Sequence, residues 1–66
     1  MKHFYLLKLF PAGNFASGNQ CINEVTKLNI DYAIKTFQLC HPELNLNNDG
    51  YAKHGDISYC VAERIF

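Results

Sequence analysis

The sequence predicts an α+β domain, an antiparallel sheet of four to five strands with one helix packed on one face. Three observations predict it. One stretch, Ile30 to Cys40, places apolar residues at helical spacing; the segments on either side alternate with the period of strands; and turn-forming residues separate these segments at short intervals.

Residues 2–10, KHFYLLKLF, are apolar in both alternating sets: Tyr5, Leu7 and Leu9 on one side, Phe4, Leu6 and Phe10 on the other. A central strand covered on both faces has this composition. Pro11-Ala12-Gly13-Asn14 ends it with turn chemistry, Ser17-Gly18-Asn19 repeats the signal, and Phe15 lies between them. Gln20 to Lys27 then alternates imperfectly, with Cys21 and Val25 on one face and Ile22, Glu24 and Thr26 on the other. This is a half-exposed strand, expected to pair antiparallel with the first.

Asn29 stands where a helix N-cap belongs, and Asp31 in the first turn complements the helix dipole. Ile30, Ala33, Ile34, Phe37 and Cys40 form one apolar stripe until His41-Pro42 stops it. Beyond Pro42, Leu44 and Leu46 alternate with asparagines, while Asn48-Asp49-Gly50 and Gly55-Asp56 are turn signals enclosing a short strand, Tyr51 to His54. The last run, Ile57 to Phe66, sets Ile57, Tyr59, Val61 and Ile65 against Ser58, Cys60, Ala62, Arg64 and Phe66.

With 66 residues the chain has room for one domain, residues 1–66, that buries roughly 60% of its unfolded surface. A net stability of about 3 to 10 kcal/mol leaves little to hold strained catalytic geometry, so an enzyme is disfavoured. Six basic residues balance six acidic ones. That neutrality supplies no global field for phosphate backbones or anionic lipid, and no polyanionic imitation of DNA. Cys21, Cys40 and Cys60 cannot all pair within one chain and contain no C-x-x-C, so reduced thiols in a cytosol are expected. No N-x-S/T acceptor occurs among the seven asparagines. Lys8 interrupts the apolar run after Met1-Lys2-His3 too early for a signal peptide, and no stretch approaches the roughly 20 apolar residues of a membrane span. A soluble, cytoplasmic protein is the expectation.

Several motifs imitate chemistry. Asn45-x-Asn47-x-Asp49-Gly50 with Asp56 follows the outline of a calcium loop, but two of its ligands would be neutral amides and its last position is Asp rather than a bidentate Glu, so turn-forming residues are the better reading. Cys40, His41, His54 and Cys60 have zinc-ligand chemistry without paired-ligand spacing. His54, Asp56 and Ser58 are the one local cluster of triad residue types, and no nucleophile elbow accompanies them. No catalytic residue, metal or cofactor is expected.

A helix of about 12 residues is roughly 18 Å long and roofs one face of a sheet, so the other face needs another cover. Phe4, Leu6, Phe10 and Phe66 are the residues expected on that second face, and an open apolar patch marks a partner or self-association site. The alternative cover is the Pro11 to Asn19 loop. The polar hairpins bearing Tyr51 and His54 are a further candidate surface. The same open face, with Lys2, Lys8 and Arg64 beside its phenylalanines, could act as a nucleic-acid platform, although no K/R-G-F box is present.

The leading strand beginning Met1-Lys2 with Tyr5 and Lys8, a second strand, one short helix bearing Ala33-Ile34-Lys35 and a closing meander resemble, as an order of elements, small phage-encoded inhibitors of bacterial defence such as some anti-CRISPR proteins. The resemblance covers most of the chain and carries over no contact residue. It implies a stoichiometric, non-catalytic role in which the protein docks on a host defence complex and blocks it sterically, since the chain is not acidic. The expected function is therefore a protein-binding domain, with a defence complex or a second copy as partner. The alternative is a small nucleic-acid-binding module.

Overall fold

The computed structural model describes residues 1–10 and 19–63. Along the chain run β1 (Lys2–Leu9), β2 (Asn19–Lys27), α1 (Ile30–Cys40), β3 (Tyr51–His54) and β4 (Ile57–Glu63). The four strands form one sheet in the order β2-β1-β4-β3, with every neighbouring pair antiparallel. β1 therefore lies between two partners, as its two apolar sides predict.

The helix begins and ends where its signals stand. Asn29 is extended at φ −151°, and its Oδ1 accepts the Tyr32 N–H at 3.2 Å. At the other end the His41 N–H donates to the Phe37 carbonyl at 2.8 Å. Only the middle of the predicted stripe, Ala33, Ile34 and Phe37, is buried, whereas Ile30 and Cys40 at its ends are exposed. Phe37 clusters with Phe4, Leu6, Leu44, Ala52 and Val61, and Val25, Leu46 and Tyr59 pack around the margin.

No fifth strand is seen among the described residues. The region around Leu44 and Leu46 is coil because its N–H groups are used locally. Asn47 Oδ1 accepts the N–H groups of Asp49 and Tyr51 at 2.9 and 3.0 Å, and the Leu46 N–H donates to Gln38 Oε1 at 2.8 Å. Gly50 completes the turn at φ +77°. A Cβ there would come within 2.9 Å of Val61 Cβ, so the backbone passes directly against the core.

The imperfect alternation of β2 has a physical cause. Leu6 lies opposite Asn23 but Leu7 opposite Cys21, so Ile22 is the extra residue of a bulge. The bulge reverses the parity read from sequence: Cys21 shares its face with Glu24 rather than with Val25. Local bonds accompany it, from Cys21 Sγ to the Asn23 carbonyl at 3.3 Å and from the Glu24 N–H to Asn23 Oδ1 at 2.9 Å.

Phe37 has 0% exposure at the centre of this cluster. Phe37→Ala should cost about 3 to 5 kcal/mol and leave the chain largely unfolded at 37 °C, as read by circular dichroism; an unchanged melting curve would refute the placement of α1. Gly50→Ala should lower stability by roughly 1 to 3 kcal/mol through its positive φ, and by more if Val61 cannot shift.

Candidate functional site: the sheet face opposite the helix

Register decides which side of β1 lies under α1. Phe4 is opposite Glu63, Leu6 opposite Val61 and Lys8 opposite Tyr59. Directly paired residues point to the same face of a sheet, so Phe4 and Leu6 belong with Val61 and Tyr59 on the helix side. Their exposures are 1% and 0%. This corrects the expectation that Phe4 and Leu6 line the open face: they are core. Because both sets of β1 are apolar, alternation alone could not choose between them.

The other face is built on Tyr5, Leu7 and Leu9, opposite Ala62, Cys60 and Ser58 of β4. Glu24 and Cys21 flank it on β2, and Tyr51 and Lys53 on β3. Cys21, Leu7, Cys60 and Tyr51 thus form one row across all four strands. The β1 and β4 members are half-buried, and α1 with Leu44 lies on the opposite side.

The remaining predicted residues fall in three places. Tyr51 is on the face away from the helix at the sheet edge, 44% exposed, and its hydroxyl donates to Ser58 Oγ at 3.0 Å. Phe10 is half-buried just past β1, with Lys8 Nζ 5.3 Å from its ring centroid. His54 is exposed at the end of β3, opposite Ile57 and one position from Lys53, so it shares the helix side of the sheet with Ala52. Phe66 and the Pro11 to Gly18 part of the loop lie outside the described residues. Tyr5, Leu7, Leu9, Cys60 and Ala62 were not in the expected set. The signal for them was the small-residue series Ser58, Cys60, Ala62, which leaves Tyr59 and Val61 as the bulky side of β4 that a helix would need.

Electrostatically the face is sparse. His3 Nδ1 and Glu24 Oε1 are 2.8 Å apart at one corner, and Lys53 lies at the diagonal corner. Burial pushes the Cys60 thiol above its usual value, which makes it a poor nucleophile. The triad residue types do not converge: Gly55 and Asp56 form the β3–β4 turn, and Ser58 pairs with Lys53 while His54 pairs with Ile57, so the histidine and the serine point to opposite faces. His41 is engaged elsewhere, between Asn23 at 3.4 Å and Glu43 at 3.5 Å. Among the described residues no three His, Cys, Asp or Glu side chains gather as metal ligands, and no helix is long and apolar enough to cross a membrane.

No protein-family model, curated protein or solved structure matches this chain.

All three thiols are free, with Cys21 and Cys40 exposed and Cys60 half-buried. Iodoacetamide at pH 8, followed by mass spectrometry, should label Cys21 and Cys40 first and Cys60 last, because its raised pKa leaves less thiolate. Equal rates would contradict the placement of Cys60 within the sheet face.

Proposed function

We propose that this chain is a non-catalytic binding domain that docks on another protein through the face of Tyr5, Leu7, Leu9, Cys60, Ala62 and Tyr51. The observation that carries this reading is the mismatch between one eleven-residue helix and a central strand apolar on both sides. Apolar side chains in the middle of a sheet with no element packed on them among the described residues suit association with an apolar surface. Tyr51 at the margin adds the aromatic, hydrogen-bonding character common at interface centres.

The most concrete form of this reading is a stoichiometric inhibitor of a bacterial defence complex, and its support is the element order alone. Self-association through the same face is the other protein–protein form. The sparse, balanced charge of the face speaks for docking on protein rather than on a phosphate backbone.

Quantitative capture from a bacterial lysate with wild type and Leu7→Thr as bait tests the reading. A true partner, or the second copy in sedimentation, should be retained by wild type and weakened by about 2 kcal/mol or more, near 30-fold, by the variant. Leu7→Thr should stay folded with only a modestly lowered melting curve, because Leu7 lies on the side of β1 away from the Phe37 cluster. The complex should change little between 50 and 200 mM salt; a loss of about a thousandfold would instead assign nucleic acid. Partners captured equally by both baits would refute the sheet face.

A further inference from the structure

A second surface lies beside α1, and it uses the asparagine-rich segment that the sheet face leaves out. Between the helix and residues 46–48 runs a groove of about 440 Å³ with an apolar lining of Ile34, Leu39 and Leu46. It continues into a compartment of about 280 Å³ that shares Ile34, Lys35 and Asn48 and extends to Asp31. Along α1 the two together follow residues 31 to 39, about 12 Å at 1.5 Å per residue, which is the length of three to four extended residues.

The walls are fixed before any ligand arrives. The Leu46 N–H bond to Gln38 Oε1, at 2.8 Å, ties the coil to the helix, and the two bonds accepted by Asn47 Oδ1 hold the turn that follows. A groove braced in this way loses little freedom on binding. Leu39, at 84% exposure, stands at its rim on a helix face where solvent alone would favour a polar residue. Charges then follow in order: Lys35 in the stretch common to both compartments, Asp31 at the far end. Although four residues apart on one helix, Lys35 and Asp31 are not paired with each other or with any other described residue. Both remain available to a ligand.

We propose that this groove receives an extended segment of a partner protein that presents, in order along it, an apolar side chain against Leu39 and Leu46, a carboxylate at Lys35 and a cation at Asp31. Burial of the apolar anchor supplies the affinity, and the two opposite charges set register and direction. The spread of apolar, positive and negative features over two compartments fits a chain rather than a compact molecule. Asn48, beside both compartments, offers an amide to the backbone of that chain. The groove is separate from the sheet face, and the inference does not rest on that reading.

Panning a phage-displayed library of random heptapeptides against the full chain tests the proposal, with Lys35→Glu and Leu39→Asp panned in parallel. Lys35 and Leu39 are both exposed, so both variants should melt like wild type. Wild type should enrich peptides that combine an apolar residue with an acidic and a basic neighbour. Lys35→Glu should replace the selected acidic residue by a basic one and weaken the best wild-type peptide about tenfold or more. Leu39→Asp should abolish the enrichment. The proposal is overturned if nothing is enriched, if the enriched peptides bind both variants as well as wild type, or if they are lost with Leu7→Thr instead, which would place them on the sheet.

Discussion

Among the described residues, the structure depends on one shortage of cover. An eleven-residue helix is about 16 Å long and can shield one side of a sheet, yet β1 carries apolar side chains on both. The side it shields is the one where bulk meets bulk: Phe4 and Leu6 on β1, Val61 and Tyr59 on β4, with Phe37 from the helix among them. Among the described residues, four large side chains, Phe4, Phe37, Leu6 and Leu44, are fully buried. At about 1.5 to 3 kcal/mol each, they form a core in which no single member is dispensable. The second side is left to Leu7, Leu9 and the small residues of β4.

That asymmetry bears on how the protein can associate. A sheet can grow at its edges or be covered on its face, and here the edges are blunted. β3 has four residues and carries Lys53 and His54. β2 is longer, but its bulge at Ile22 interrupts the ladder midway, and the Glu24 N–H is already bonded to Asn23 Oδ1. What remains is the sheet face and the groove along α1, two surfaces on opposite sides of a small domain, each with an apolar centre and few charges.

Much of the fold was legible because local and global signals agree. The N-cap at Asn29, the stop at His41-Pro42, the central position of β1 and the turns at Gly50 and Gly55 all follow from residue types whose geometry is fixed by their own chemistry. The face away from the helix was not legible in the same way. Its identity depends on register between strands far apart in sequence, and the pairing of Leu6 with Val61 cannot be read from β1, whose two sides are equally apolar. A single extra residue, Ile22, likewise moved Cys21 to the other face of β2. The coil at 41–50 misleads for a third reason: its alternation of leucine and asparagine imitates a strand, while the Leu44 N–H is taken by the His41 carbonyl and the Leu46 N–H by Gln38 Oε1.

Hydroxyl-radical footprinting of the free protein, read residue by residue, measures the central asymmetry directly. The half-buried Leu7 and Leu9 should be oxidised measurably faster than their neighbours Phe4 and Leu6, and than Phe37 above them, which should be protected until the chain unfolds. Equal protection of the two alternating sets of β1 would mean that both sides are covered, and would contradict an open face.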